Sequence, residues 1–474
     1  MLYGFRSKDF VVWNETEQTD VLAVDCGGAH RSWAYSPLKD KISGEAVYGG
    51  TFVWTKAGAC NVYSKSDEDH HRIQLGGHGR EIKAVAVSPL RIVGHKSGSS
   101  ETSLVATGAE DTTIRLFAVE VSDSSVKSLA GNKKMTCLRI LNKHTTGIHH
   151  LEFSPCGNYL FSSGGCEELF VWRLHTEVPV IGLGVVLECM LPKTEIDADA
   201  RITSFRVGGQ KKPESGSTHE ADMGFEIAAI YSNGKVKIWR YSCEQGSRKR
   251  RFELLNEIVE GSFCLTQLHY DAKDEILLTA GTNGFINVHF PRQWDLMWKQ
   301  RVHQNSIQAS VLVKITGFSS TWLVITGGDD NALGLTVFCP DSVCSSRSIS
   351  AFRTLLISSA HAAAVTDLTL LSRLETSEEN ISLNFASVSN DQRVKIWHVT
   401  IRVEDTFKED FEMQGIQIEK IAESWTSVAD AAAIEVLETA PGKDQHPIGS
   451  AQTREQELLV IGVGMEILKV PMQC

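Results

Sequence analysis

The chain has 474 residues, of which 42% are hydrophobic and 22% are charged. It can therefore bury a sizeable core, and wholesale disorder is not expected. The formal net charge of −11 argues against a dedicated nucleic-acid coat but leaves room for a local basic patch. Eleven cysteines without metal-site spacing favour reduced thiols, and we expect a cytoplasmic protein. No apolar run reaches the roughly 20 residues of a membrane span.

The chain repeats one pattern: a loop with a histidine, a strand, a strand rich in small residues, an aspartate turn, and a strand that ends in an aromatic residue. Residues 1–13 end in an apolar run that closes on Trp13, so we expect the chain to begin inside a truncated repeat. The first full unit runs from Asp25 to Tyr63. Later units end in Phe117, Trp172, Trp239, Phe290, Phe338 and Trp397, and a weaker unit covers residues 426–474.

This series resembles the WD-repeat family of β-propellers over nearly the whole chain, although no unit ends in Trp-Asp. The resemblance implies an all-β fold, with a propeller of seven or eight four-stranded blades and long loops between strands. We expect residues 1–13 to end a preceding repeat and residues 14–474 to form the propeller. The last unit, 426–474, either closes the ring or belongs to a neighbouring propeller.

Recurring polar residues in these units match a hydrogen-bonded chain found in WD-type blades. In that chain a carboxylate accepts from an imidazole, the imidazole accepts from a hydroxyl, and the hydroxyl accepts from an indole N–H. We predict that the role is structural, because the same set recurs in more than one unit. The matching residues are His361, Ser387, Asp391 and Trp397, and a partial set is His78, Thr107 and Asp111 with Phe117 in place of the tryptophan.

The sequence lacks the common motifs of enzymatic chemistry. It contains no phosphate-binding loop, no dinucleotide-binding glycine fingerprint and no nucleophile elbow. The histidine pairs His70-His71 and His149-His150 lack the context of a zinc-binding motif. We therefore expect a protein without catalytic residues, cofactor or metal.

Two groups of residues are candidates for binding. Arg31 and Trp33 combine a cation with a large aromatic ring, a composition favoured at interface hot spots. We assign these two residues and Arg80 to a partner-binding face, with ordinary blade packing of Trp33 as the alternative. The densest basic run could contact RNA phosphates or could be a solvated loop; it consists of Arg248, Lys249, Arg250 and Arg251.

A narrower resemblance rests on the segment from Asp25 to Trp33, DCGGAHRSW, supported by Val428–Ala431 and Val463–Glu466. These motifs are similar to the C-terminal part of the WD-repeat regulators of the tRNA wobble-nucleotide 2′-O-methyltransferase. The resemblance implies a non-catalytic adaptor that partners a separate tRNA 2′-O-methyltransferase, with the methyl-donor site on the partner and with tRNA as a further contact. The alternative is a general WD-repeat scaffold, such as a substrate receptor or trafficking adaptor, without RNA contact.

Overall fold

A computed structural model gives the fold of most of the chain, and every regular element in it is a β-strand. Within the described part, no helix has the length and hydropathy needed to cross a membrane. The described residues are 2–15, 18–39, 46–65, 71–72, 77–93, 101–120, 135–195, 199–208, 224–243, 250–271, 276–289, 296–315, 321–340, 349–375, 380–402, 415–437 and 454–472.

The chain forms two compact units, an N-terminal unit, Met1–His70, and a C-terminal unit, His71–Cys474. This division differs from the boundary expected between residues 13 and 14, which falls inside a strand, Asp9–Asn14. That strand pairs on both sides, because Trp13 lies opposite Leu2 on one neighbour and opposite Asp20 on the other. A boundary there would break two ladders of backbone hydrogen bonds.

In its described residues, the N-terminal unit contains two antiparallel three-stranded sheets, β1-β2-β3 and β4-β5-β6. Phe10 of one sheet stacks on Phe52 of the other with ring centroids 3.9 Å apart, and both side chains are fully buried. The strands are β1 (Leu2–Arg6), β2 (Asp9–Asn14), β3 (Thr19–Asp25), β4 (Trp33–Lys39), β5 (Ala46–Lys56) and β6 (Ala59–Lys65).

The C-terminal unit contains seven antiparallel sheets in the described residues, which we number in chain order. Sheet 1 has β8 (Ile82–Val93), β9 (Glu101–Ala109), β10 (Ile114–Glu120) and β11 (Met135–Leu141), after a short strand β7 (His71–Arg72). Sheet 2 has β12 (Ile148–Phe153), β13 (Tyr159–Gly164), β14 (Leu169–Val178) and β15 (Gly182–Met190). Sheet 3 has β16 (Ile202–Val207), β17 (Phe225–Tyr231), β18 (Lys235–Cys243) and β19 (Arg250–Val259).

The next three sheets repeat this four-stranded order. Sheet 4 has β20 (Leu265–Asp271), β21 (Ile276–Gly281), β22 (Phe285–His289) and β23 (Leu296–Arg301). Sheet 5 has β24 (Ile307–Ile315), β25 (Thr321–Gly328), β26 (Leu333–Pro340) and β27 (Ile349–Ile357). Sheet 6 has β28 (Val365–Glu375), β29 (Asn380–Ser389), β30 (Arg393–Arg402) and β31 (Ile416–Trp425).

Sheet 7 joins the two ends of the C-terminal unit. It contains β32 (Ala429–Leu437), β33 (Arg454–Met472) and the short strand β7, in the order β32-β33-β7. Glu466 lies opposite Arg72, and Ile467 lies opposite His71. The last described strand of the chain is therefore paired with the first strand of the same unit.

The first strands of successive sheets lie next to one another, from β8 to β32, and β32 in turn contacts β8. Thr203 Oγ1 donates to the Leu265 carbonyl at 2.7 Å, and Arg206 Nε donates to the Leu268 carbonyl at 3.1 Å. From the first contact to the second, the position advances by three residues on β16 and by three residues on β20. The two strands therefore run in the same direction. The hydrophobic core lies between consecutive sheets, as in the cluster that contains Phe117 of sheet 1 and Ile467 of sheet 7.

The burial of each strand follows its place in its sheet. Second strands such as β17 and β25 are buried along their full length, because neighbouring sheets cover both of their faces. Outer strands such as β19 have mostly exposed and half-buried positions. The tight turn at Asn233-Gly234 needs its glycine, which has a φ of 78° and would collide with the Gly261 carbonyl if it carried a Cβ. The predicted all-β class and four-stranded antiparallel sheets are confirmed, and they are consistent with a WD-repeat propeller.

Candidate functional site

Sheet 6 contains the full hydrogen-bonded chain expected from its sequence. Asp391 accepts from His361 Nδ1 at 3.1 Å, and Ser387 Oγ donates to His361 Nε2 at 2.7 Å. Trp397 Nε1 donates to the same Ser387 oxygen at 2.8 Å. Burial lowers the pKa of His361, and Asp391 offsets this only in part, so the neutral ring can accept at Nε2.

The Asp391 carboxylate also fixes two stretches of backbone. It accepts from the Ala362 amide at 2.9 Å and from the Arg393 amide at 3.0 Å. Burial opposes the charged form, but the hydrogen bonds from Ala362 and His361 outweigh it and hold the pKa of this carboxyl below its usual value. The arrangement joins the loop before β28 to the turn before β30, which is a structural task.

Sheet 1 contains the partial set. His78 Nδ1 lies 3.1 Å from Asp111, and His78 Nε2 lies 2.8 Å from Thr107 Oγ1. Phe117 is fully buried and offers no indole donor. Thr113 Oγ1 instead adds a hydrogen bond to Asp111 at 2.7 Å, so the carboxylate is held by more partners than in the predicted set.

Two further chains were missed by the sequence analysis. In sheet 2, His144 lies 2.8 Å from Glu168 and 2.7 Å from Ser162, and Trp172 Nε1 donates to Ser162 at 2.9 Å. The glutamate at the turn hid this set, because an aspartate was expected there. In sheet 5, His303 lies 2.8 Å from Asp330 and 2.9 Å from Thr326.

Sheet 3 has a buried ionic network that sequence reasoning did not find. Lys237 on β18 is fully buried and lies 3.3 Å from Glu167, in ion-pair contact with Glu195 and 2.6 Å from Thr194 Oγ1. Its ammonium group also lies 4.7 Å from the centre of the Tyr231 ring. Glu167 comes from sheet 2, so the network ties two neighbouring sheets together.

The residues assigned to a partner-binding face belong to different units. Trp33 in the N-terminal unit is 40% exposed, and its ring centre lies 5.1 Å from that of Phe5. Arg31 is half-buried, and its Nε has no hydrogen-bond partner among the described residues. Arg80 is an exposed residue of the C-terminal unit.

The basic run is only partly described. Arg248 and Lys249 lie outside the described residues, whereas Arg250 and Arg251 begin β19. Arg250 lies over the Tyr241 ring at 5.6 Å and donates to the Tyr159 hydroxyl at 3.5 Å. It therefore takes part in packing, and Arg251 is the exposed member of the described pair.

One segment of the chain matches the model of a known protein family. Residues 135–173, which run from β11 into β14, match the model of the "WD domain, G-beta repeat" family. This match covers most of sheet 2, where the chain of His144, Ser162 and Trp172 lies. The four-stranded sheets and this match confirm the predicted resemblance to the WD-repeat family.

The chain is also similar to regulators of a tRNA methyltransferase. The chain is 28% identical over 339 residues to the human tRNA (34-2'-O)-methyltransferase regulator WDR6, covering 62% of this chain and 28% of that protein. It is 27% identical over 346 residues to the rat protein of the same name, covering 62% and 29%. The predicted resemblance to this regulator is confirmed. The chain spans less than a third of these relatives' length.

A protein with a different name also matches part of the chain. Nuclear distribution protein PAC1 of Arthroderma benhamiae is 23% identical over 234 residues, which cover 45% of each chain. The similarity to the tRNA methyltransferase regulators therefore extends over more of this chain.

Proposed function

We propose that the protein is a non-catalytic WD-repeat adaptor that partners a tRNA 2′-O-methyltransferase in methylating the ribose of the wobble nucleotide. The observation that carries this proposal is the similarity to the tRNA (34-2'-O)-methyltransferase regulators over 62% of the chain. The buried histidine chains support it, because they stiffen loops and present no exposed nucleophile with its base. Methyl transfer then belongs to the partner.

We further propose that sheets 1–7 are the blades of one closed ring, formed by residues 71–474. The contact between β32 and β8 supports closure, as does the shared core of sheets 7 and 1. The pairing of β7 with β33 would fasten the ring, since it joins the two ends of the unit. A crystal structure with another number of sheets around the axis, or with an open seam between sheets 7 and 1, would contradict this architecture.

We propose that Arg31 and Trp33 in the N-terminal unit, and Arg80 in the C-terminal unit, contact the partner. An exposed tryptophan close to an arginine can contribute about 2 kcal/mol or more to a protein interface. We expect the double variant Arg31→Ala/Trp33→Ala to lose methyltransferase in a pull-down and to lose wobble methylation in cells. Trp425→Ala is the matched control, because Trp425 is a 59% exposed tryptophan in the C-terminal unit. A folded double variant that keeps both activities would overturn the assignment.

RNA contact is assigned to the basic run at the start of β19. Removal of one cation that faces a phosphate should reduce the slope of log affinity against log salt by about 1. The variant Arg248→Ala/Lys249→Ala/Arg251→Ala keeps Arg250, which packs on Tyr241, and should weaken tRNA binding most at low salt. Arg240→Ala, an exposed arginine on β18, is the control. Unchanged salt dependence in the triple variant would remove this run from the RNA surface.

The alternative function is a general protein scaffold without RNA contact, and the similarity to nuclear distribution protein PAC1 favours it. Loops at the edges of a propeller bind many kinds of partner, so the fold alone does not choose between the two. Affinity purification with mass spectrometry distinguishes them. Recovery of a tRNA methyltransferase supports the adaptor, and recovery of unrelated complexes without any tRNA-modifying enzyme supports the scaffold.

A further inference from the structure

Three loops of the C-terminal unit lead into the first strands of sheets 1, 2 and 3, and we call them loops 1, 2 and 3. They are residues 77–81, 142–147 and 191–201, described except at 196–198. Glu110, in the turn after β9, contacts the first two loops. Its amide donates to the Glu81 carbonyl at 3.0 Å, and its Cα would lie 3.2 Å from a Cβ on Gly147. Loops 1 and 2 therefore lie side by side.

The turn after β13 joins loop 2 to loop 3 in the same way. The Gly165 amide donates to Thr146 Oγ1 in loop 2 at 2.7 Å. The Glu167 amide donates to the Ala200 carbonyl in loop 3, also at 2.7 Å. The three loops thus form one continuous surface over sheets 1, 2 and 3, which we call the loop surface.

Each of the three loops presents at least one exposed cation. These cations are Arg80 in loop 1, Lys143 in loop 2, and Lys193 and Arg201 in loop 3. None of the four forms an ion pair with another described residue. Several cations on other surfaces are paired with carboxylates, as Arg173 is with Glu188, Arg240 with Glu253 and Lys420 with Glu423. The cations of the loop surface therefore remain available to an anionic ligand.

Acidic side chains do not cancel this positive charge. Glu110 and Asp199 are the exposed carboxylates around the described parts of the three loops, against four exposed cations. Glu81 and Glu195 are half-buried, and each already pairs with a lysine. The loop surface therefore keeps an excess of positive charge, although the formal net charge of the chain is −11.

The opposite half of the C-terminal unit has a different character. In the described loops and turns of sheets 5 and 6 that correspond to the loop surface, and at the start of sheet 7, the exposed charged residues are Asp329 and Asp430. Arg301, which comes just before this part of sheet 5, donates to the carbonyls of His303 and Gln304. Positive charge is therefore concentrated over sheets 1 to 3, and an anionic partner would be steered there.

The composition of the loop surface fits a phosphate backbone better than an acidic protein. No exposed large hydrophobic side chain lies in the described residues of the three loops, whereas protein interfaces are centred on aromatic and apolar groups. Asn142 and Thr145 are exposed on either side of Lys143 and His144. Nucleic-acid phosphates are contacted by lysine and arginine and also by such amide and hydroxyl groups. RNA is often recognised through its shape and backbone.

We propose that Lys143, Lys193 and Arg201 on the loop surface contact phosphates of an RNA backbone. This inference rests on the proposed function, which supplies tRNA as the RNA. Arg80 lies on the same surface and is proposed to contact the methyltransferase. RNA held by the loop surface would therefore lie beside the enzyme that acts on it.

The loop surface is distinct from the basic run that begins β19. Arg250 pairs with Cys243 at the start of this strand, and Val259 pairs with Lys235 at its other end. Lys235 in turn lies 3.1 Å from Glu195 in loop 3. The loop surface and the basic run therefore lie at opposite ends of β19, and the two assignments can be tested separately.

The test is fluorescence anisotropy of a labelled tRNA transcript with the full chain, titrated with KCl. The variant Lys143→Ala/Lys193→Ala/Arg201→Ala, which we call the loop variant, should bind about tenfold or more weakly at low salt. It should also reduce the slope of log affinity against log salt by about 2–3. The control Arg173→Ala/Arg240→Ala/Lys420→Ala changes the net charge equally, but its cations already pair with carboxylates, so affinity and slope should stay nearly unchanged.

Both variants should remain folded, because exposed cations contribute little to stability, and circular dichroism with a melting curve checks this. Equal salt slopes for the loop variant and the control would overturn the proposal. Polyglutamate that displaces labelled tRNA as well as unlabelled tRNA does, at the same concentration of negative charge, would indicate a site for acidic proteins and would also overturn it.

A pull-down of the methyltransferase separates this inference from the proposed function. The loop variant retains Arg31, Trp33 and Arg80, so it should still capture the enzyme. A parent chain that captures the enzyme but binds no tRNA would overturn the RNA surface and leave the proposed function standing. A chain that binds tRNA through the loop surface but captures no methyltransferase would overturn the adaptor function and leave the RNA surface standing.

Discussion

Sheets 3 and 6 contain the same four residues at the same place and use them differently. The third strands read Val236-Lys237-Ile238-Trp239 and Val394-Lys395-Ile396-Trp397. In sheet 6, Ser387 on the second strand accepts from Trp397. The corresponding residue of sheet 3 is Ala229, which has no hydroxyl.

The lysines differ as much as the tryptophans. Lys395 is half-buried and donates to the Ala360 carbonyl at 2.7 Å, whereas Lys237 is fully buried among carboxylates. The comparison shows that one repeat can be stabilised by a neutral hydrogen-bonded chain and another by a buried ion network. The residues around the lysine and the tryptophan determine which of the two forms.

The largest expected effect comes from breaking the ion network of sheet 3. Lys237→Ala leaves Glu167 buried without its cation and leaves Glu195 with Lys235 alone, and should reduce the free energy of unfolding by about 3–5 kcal/mol. Lys395→Ala is the matched control and should cost only about 1 kcal/mol, because it removes one hydrogen bond to a carbonyl. Urea unfolding of both variants measures the difference. Equal destabilisation would mean that the two lysines are equivalent.

The next effect concerns the carboxylate of sheet 6. Asp391→Ala removes the acceptor for His361 and for two backbone amides, and should cost about 2–3 kcal/mol. Asp329→Ala, at an exposed position, should change stability by less than about 0.5 kcal/mol. Differential scanning calorimetry compares the two melting temperatures. An unchanged melting temperature for Asp391→Ala would argue against the structural role of this chain.

A smaller effect should follow from making sheet 6 resemble sheet 3. Ser387→Ala removes the hydroxyl that joins Trp397 to His361 and should cost about 1–2 kcal/mol, because both partners stay buried. A double-mutant cycle with Trp397→Phe isolates the indole hydrogen bond. Additive effects would indicate that the serine and the tryptophan are not coupled.

The smallest expected effect concerns two glutamates whose pKa values are shifted from the usual value in opposite directions. Burial raises the pKa of Glu152 from 4.5 to about 7. Burial disfavours the charged form of Glu167. The hydrogen bonds from the Glu195 amide and from Thr194, together with the charge of Lys237, outweigh burial, so the pKa of Glu167 is lowered. Between about pH 4.5 and 7 the folded state binds more protons at Glu152 than the unfolded state does, so this group's contribution to stability falls as pH rises.

Glu152→Gln should therefore stabilise the protein more at pH 8 than at pH 5. The change that it causes in the free energy of unfolding should differ by about 1 kcal/mol between the two pH values. Glu167→Gln should do the reverse and destabilise most at pH 8, where Glu167 is ionised and Lys237 would lose that charge. Chemical denaturation of both variants at the two pH values measures this. A pH-independent difference from the parent chain for Glu152→Gln would contradict the raised pKa.

The repeated pattern was readable because each repeat is a local unit. Histidine, serine, aspartate and tryptophan recur at similar offsets within some 40 residues, so the chain of His361, Ser387, Asp391 and Trp397 could be predicted before its geometry was known. The equivalent chain in sheet 2 was missed because Glu168 stands where an aspartate was expected. A longer carboxylate reaches the same histidine, and the sequence offers no local sign of that reach.

Contacts between distant segments could not be predicted in this way. Glu167 and Lys237 come from different sheets. Glu152, Asp367 and Glu435 line one cavity, and they come from three separate strands. The pairing of Glu466 with Arg72 joins opposite ends of the C-terminal unit. No spacing rule connects such residues, since their proximity depends on how many sheets stand between them.

By itself, the sequence determined the class of fold, the repeated unit and the local hydrogen-bonded chains, because strand periodicity and turn residues act over a few positions. Only the tertiary structure decided where the two units divide, which strand completes sheet 7, and which carboxyl groups meet Lys237 and Arg206. Those outcomes depend on packing between whole sheets, and packing brings together side chains that carry no mark of one another in the chain.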